Sequence, residues 1–206
     1  MYIKLAEHTT DYFIAKKLIN EFERDIYVYS FEVLISDLVY LMIAFLTALI
    51  SGTLLETFVF FFGFFCIRRF AGGFHASSYN RCHLLFWFNQ VIMIILIRMT
   101  DLSKISTLIF FLYAVSFFSV FTLAPMANKN KPFTESEAKR FGLLSRIMII
   151  LTAGVTVGLY MLNVDLLYIY VYILGVFSAS AALIAERIKI QKEKEGDKHG
   201  EKNENG

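Results

Sequence analysis

Residues 54–97 read LLETFVFFFGFFCIRRFAGGFHASSYNRCHLLFWFNQVIMIILI. Two of the most apolar blocks of the chain enclose a polar, glycine-bearing insert that runs from Arg68 to Cys82. Each block is continuously apolar rather than alternating, which suits a helix in lipid and not a strand of a barrel. The pattern recurs outward from this stretch: apolar blocks fall at 33–51, 53–67, 83–99, 105–124, 143–162 and 166–185. Most are near the ~17–25 residues that cross a bilayer as a helix. The chain is 57% hydrophobic, with 22 Phe and 11 Tyr in 206 residues, so a water-soluble fold would expose apolar surface on almost every helix. The expected fold is an all-α integral membrane protein with about six transmembrane helices.

The basic residues orient these spans. Eighteen of the 20 Lys and Arg lie before the first span, in 68–82, in 125–146 or in the tail, and the opposite side carries Arg98 and Lys104. By the positive-inside rule both termini and the 68–82 and 125–142 loops are expected in the cytoplasm. Met1 to Glu32 lacks the short apolar core and small-residue cleavage site of a signal peptide. Within it and just beyond, Ile14, Leu18, Phe22, Ile26, Tyr29 and Val33 recur at helical spacing, which predicts an amphipathic helix over 12–33, on the membrane surface or packed on the bundle. The expected plan is an interfacial segment 1–32, a six-span membrane domain 33–185, and a charged cytosolic tail 186–206 that continues the last helix briefly and then becomes disordered. Nothing in the charge pattern points to nucleic acid.

The insert carries the candidate chemistry. A thiol attacks as its thiolate, an imidazole can take its proton, and nearby arginines favour the anion. His75 and Cys82 are therefore a candidate base and nucleophile, with Arg68, Arg69 and Arg81 around them. On one straight helix the seven intervening steps rise ~10.5 Å, too far for a direct hydrogen bond. The pair needs a bend, and Gly72, Gly73 and 77–80 are the residue types that permit one. The same residues also fit an incidental interfacial His and Cys, with arginines that set topology or meet lipid headgroups. A metal site from His75, Cys82, His83 and Cys66 matches no common zinc spacing, and the arginines would repel a cation.

Other polar residues stand out inside the spans. Asp37 lies near the cytosolic end of the first and is a candidate to orient His75, or to pair with an arginine. Glu56 falls near the outer face, and Asn89 and Gln90 lie in the third span. Gly154 and Gly158 form a small-residue stripe suited to internal packing or to a homodimer. A small transporter or scaffold would instead need paired charges or broken helices at mid-membrane, and these are sparse.

The stretch RRFAGGFHA at 68–76, followed by Cys82, resembles the signature of the accessory gene regulator B family. APMANKNKP at 124–132 is similar to that family's proline- and lysine-bearing loop. The resemblance, over about residues 1–190, implies a cysteine endopeptidase of the bacterial cell membrane that processes a quorum-sensing propeptide. It implies Cys82 as nucleophile and His75 as base, with Arg68, Arg69, Gly72 and Gly73 as motif positions, and it calls for no cofactor or metal. The implied partner is an AgrD-like propeptide, cleaved through an acyl-thioester and closed to a thiolactone or lactone ring. Lys129, Lys131, Lys139 and Arg140 are candidate contacts for that peptide's acidic tail, or simply topology determinants.

Overall fold

The structure is a computed structural model that describes residues 2–72, 79–101, 105–126 and 133–204. Within them lie seven α-helices: α1 (Tyr2–Ala15), α2 (Arg24–Ser51), α3 (Leu54–Ala71), α4 (Tyr79–Met99), α5 (Ile105–Leu123), α6 (Glu135–Met161) and α7 (Leu166–Glu204). Among the described residues four stretches are long and apolar enough to cross a membrane: Glu21–Ser51, Ile105–Leu123, Glu135–Met161 and Leu166–Lys192. Large apolar side chains such as Phe45, Phe110, Phe118 and Met161 lie exposed on these helices, a surface suited to lipid and not to water. The all-α membrane fold expected from the sequence is the fold observed. Of the other two expected spans, α3 carries Glu56, Arg68 and Arg69, and the apolar part of α4 is shorter, His83–Met99.

The chain divides into two compact units, residues 1–52 with 76–91, and 53–75 with 92–206. In the first, the helix expected over 12–33 is broken. α1 ends at Ala15, Lys17 takes the left-handed conformation (φ 57°), and a 3₁₀ turn at Glu21–Glu23 leads into α2. The Lys17 N–H bonds to Ile14 O and the Leu18 N–H to Phe13 O, which together close a Schellman motif without its usual glycine. α1 then packs back on α2. Phe13 stacks on Phe31 with centroids 5.5 Å apart, and Arg24 grips Asp11 through Nε–Oδ1 (2.8 Å) and Nη2–Oδ2 (3.2 Å).

The hydrogen bond from Arg24 holds the Asp11 carboxyl below its usual range. A carboxylate with a depressed folded-state pKa supports the hairpin above its unfolded pKa and stops doing so as pH falls through the folded value. Nitroxide labels on α1 and α2 are therefore expected to separate below pH ~4 and not at pH 7. Asp11→Asn should abolish that pH dependence; separation that persists in it would refute the role of this pair.

In the second unit α7 is the central element. Every residue from Ile169 to Val176 is buried, as expected of a helix surrounded by others. α3 meets it at backbone contact: a Cβ on Gly63 would run into the Tyr172 carbonyl oxygen, and one on Gly175 into that of Phe60. Gly154 and Gly158, expected as a stripe for internal packing or a homodimer, have nothing among the described residues within 4 Å of a Cβ position, so no close helix contact within their own unit rests on them. Polar ties link the other helices. Tyr113 Oη donates to Ile149 O (2.6 Å), and Ser180 Oγ to Ser116 Oγ (3.2 Å).

α6 begins at Glu135, eight residues before the apolar block expected at 143. Thr134 and Glu137 form a reciprocal capping box, which satisfies two orphan N–H groups at the start of the helix. α7 extends through the charged tail to Glu204, further than the brief continuation expected.

Candidate functional site

The polar motif starts on α3. That helix stops at Gly72, which adopts φ 74° and ψ −142°, a conformation open in practice to glycine alone. Arg68, four residues back, donates from Nη1 to the Gly72 carbonyl oxygen (2.7 Å) and holds the turn. The Met126 N–H bonds to Ala71 O (2.9 Å), and Gly72 and Met126 form an isolated parallel β-bridge. The chain after α5, Ala124–Met126, is thereby fixed to the end of α3. α6 closes on its other side, where a Cβ on Gly142 would come within 3.1 Å of Pro125 Cδ. The beginnings of the two loops singled out by sequence, 68–82 and 124–132, are thus joined by backbone hydrogen bonding.

Gly73, His75, Lys129 and Lys131 lie outside the described residues. Arg69 is exposed on the last turn of α3. Cys82 lies in the first turn of α4, and its side chain is also outside the description. The break at Gly72 and the restart of helix at Tyr79 agree with the expectation that 68–82 is not one straight helix.

In the first unit the opening turns of α4 are tied to α2 by a polar seam. His83 Nε2 lies 3.4 Å from Asp37 Oδ1, outside hydrogen-bond geometry, and the His83 ring stacks on Tyr40 with centroids 4.1 Å apart. One turn on, Trp87 Nε1 donates to Thr47 Oγ1 (3.1 Å), and Gln90 Nε2 donates to Ala44 O (2.8 Å). Positions 37, 40, 44 and 47 share one face of α2, and 83, 87 and 90 share one face of α4. Interhelical hydrogen bonds of this kind join helices in lipid, where apolar burial gives little drive. Asp37 therefore faces an imidazole, but that of His83, which sequence reasoning had set aside. Tyr40 and Thr47 were missed, and their spacing from Asp37 was the available signal.

On α6, Lys139 Nζ pairs with Glu135 Oε1 on the same helix (2.8 Å), and Arg140 is exposed. Among the described residues, no three His, Cys, Asp or Glu side chains gather as a metal ion would require. Cys66 is a free thiol, half-buried on α3, in keeping with a packing role.

Against known proteins, the family described as Accessory gene regulator B matches residues 6–184. The chain belongs to the accessory gene regulator B family. That membership ties it to the accessory gene regulator system and agrees with a membrane location. Two curated AgrB-like proteins of Clostridium perfringens are each 30% identical to it. The match to that of strain SM101 / Type A spans 123 residues, 57% of this chain and 58% of the relative. The match to AgrB-like protein 2 of strain 13 / Type A spans 138 residues, 62% and 64%. The chain thus aligns with less than two thirds of the length of either relative. No solved structure matches it significantly.

Proposed function

We propose that this protein is a membrane-embedded cysteine endopeptidase that cleaves an AgrD-like propeptide and promotes its cyclisation. The observation that carries the reading is the stretch Arg68–Ala76 followed by Cys82 in a chain of the accessory gene regulator B family. His75 takes the Cys82 thiol proton, and the thiolate attacks a peptide carbonyl. The C–N bond breaks, and the imidazolium returns the proton to the leaving amine. The acyl-thioester keeps the activation of the broken amide. A thiol or hydroxyl within the same peptide attacks it, closes a thiolactone or lactone ring and regenerates Cys82.

We infer that this chemistry sits at the cytoplasmic face of a bacterial membrane, with both termini on that side, a reading supported by the distribution of Lys and Arg along the sequence. The Gly72–Met126 bridge supports this, because it sets the ends of α3 and α5, from which the two basic loops begin, at one end of their unit.

The deciding experiment compares wild type with Cys82→Ala in bilayers containing an AgrD-like propeptide, followed by intact mass. Release of the C-terminal tail and a covalent adduct, both lost with Cys82→Ala, would establish the reading. Cleavage that survives the substitution would end it, and no cleavage by wild type would favour a transporter or scaffold. If Lys129 and Lys131 meet the acidic tail, Lys129→Glu with Lys131→Glu should raise KM about tenfold with kcat little changed, one ion-pair contact being worth ~1.4 kcal/mol in such a site. Unchanged kinetics would leave these lysines as topology determinants.

A further inference from the structure

One face of α2 extends beyond the length that α4 covers. Residues 26, 29, 33, 37, 40, 44 and 47 recur at steps of three and four, so they share one side of the helix. The C-terminal part of that face is the α4 seam: Asp37 and Tyr40 meet His83, Ala44 meets Gln90, and Thr47 meets Trp87. Earlier residues of one helix meet earlier residues of the other, so α2 and α4 run in the same direction. α4 therefore begins, at Tyr79, roughly level with residues 33–36 of α2. Before that level the face carries Val33, Tyr29 and Ile26, and Phe22 stands about one turn before Ile26. Phe22 is fully exposed, Ile26 67% and Tyr29 58%. α1 does not cover them. It packs on the opposite side of α2, where Arg24 holds Asp11 and Phe31 stacks on Phe13.

Lipid does not account for this shelf. Counted back from Ser51, about 20 residues of α2 fill the hydrocarbon layer and reach Glu32. At ~1.5 Å per residue, Ile26 lies ~9 Å and Phe22 ~15 Å past that boundary, whereas the headgroup layer is only ~5–7 Å deep. An ordinary tilt of ~20° changes these heights little, so Phe22 stands beyond the bilayer. Contiguous apolar surface left in water marks a place where something binds. Its position says what. The shelf runs roughly 16 Å from Phe22 to Val33 and ends beside the first turn of α4, which contains Cys82. Both helices belong to the same compact unit up to residue 91 of α4.

We propose that Phe22, Ile26, Tyr29 and Val33 form the docking surface for an apolar helical segment of the propeptide, laid along α2 so that the peptide runs on toward Cys82. This rests on the function proposed above and names where its substrate binds. A helix lying in such a place is read through apolar side chains at three- and four-residue steps, the spacing that the shelf itself presents. The four side chains hold substrate and take no part in bond making, so their effect falls on KM and not on kcat.

The test uses the full chain in bilayers with a synthetic AgrD-like propeptide that wild type cleaves. Phe22→Ser combined with Ile26→Ser is expected to raise KM about tenfold or more with kcat unchanged. The melting temperature should stay at the wild-type value, because both side chains are exposed in the fold. A benzophenone side chain in place of Phe22, in the Cys82→Ala background where the propeptide stays whole, should give a protein–propeptide adduct by intact mass. The same group in place of Tyr12, which is 58% exposed on α1, should give none. An adduct to lipid would show that the bilayer covers the shelf, and an adduct to a second copy that it is a dimer interface. Either result would overturn the proposal, as would no adduct, an unchanged KM, or a fall in melting temperature that marks the stripe as packing surface. Cleavage that survives Cys82→Ala would defeat the peptidase reading itself, whereas Cys82-dependent cleavage with unchanged KM in the double variant would defeat only this docking surface.

Discussion

Gly175→Ala is expected to lower the stability of the protein by about 2 kcal/mol, even though alanine is the better helix former. In an open helix position the same change gains ~1 kcal/mol. Here the added methyl would run into the Phe60 carbonyl oxygen and stand 2.9 Å from Phe64 N. Both obstacles are backbone, so no side chain can rotate away and α3 must move off α7. Overpacking of this kind costs ~1–3 kcal/mol, and separating the helices also loosens Gly63 against Tyr172. Gly154→Ala is the internal control, because a Cβ there meets nothing within 4 Å. Thermal unfolding in one detergent should place Gly154→Ala at or above wild type and Gly175→Ala below it. Equal melting temperatures for the two variants would show that the α3–α7 crossing is not the close contact described.

This contrast shows where a sequence stops being informative. Gly154 and Gly158 caught attention because they are four apart on one helix, whereas Gly63 and Gly175 lie more than a hundred residues apart. Only the pairing of α3 with α7 gives them a common purpose. Hydropathy located the apolar blocks, since long apolar runs are a direct consequence of lipid. It placed the start of α6 late, because the first two turns of that helix are polar and are held by the Thr134–Glu137 capping box. The break between α1 and α2 was invisible for a related reason. The apolar stripe keeps helical period through Lys16–Asn20, and the left-handed residue is Lys17, not a glycine or proline that would mark a turn.

The candidate site was legible to the same degree. A His and a Cys beside arginines and paired glycines could be read from residue types alone, and so could the need for a bend. What could not be read was which side chain faces which. Asp37 meets His83 because α2 and α4 share a seam, and that seam is a matter of helix pairing.

On the function proposed above, Gly72→Ala is expected to cut propeptide cleavage at least about a hundredfold while leaving membrane insertion and yield near wild type. Three effects coincide at this residue. Its φ of 74° with ψ of −142° costs ~1–3 kcal/mol for any residue with a Cβ. That Cβ would collide with the Met126 carbonyl oxygen, so the bridge between the two loops could not close as it stands. The Gly72 carbonyl, held by Arg68, would be displaced from its donor. None of this touches the α3–α7 crossing at Gly63 and Gly175, so the helices should still assemble. The damage falls on the direction in which the chain leaves α3, and a misplacement of ~1 Å in a reacting group can cost 10²-fold in rate. Cleavage is followed by tail release, and assembly by thermal unfolding in the same preparation. A Gly72→Ala protein that is stable and fully active would show that the loop does not depend on this bridge. One that fails to assemble would show that the bridge belongs to the core of its unit and not to the site.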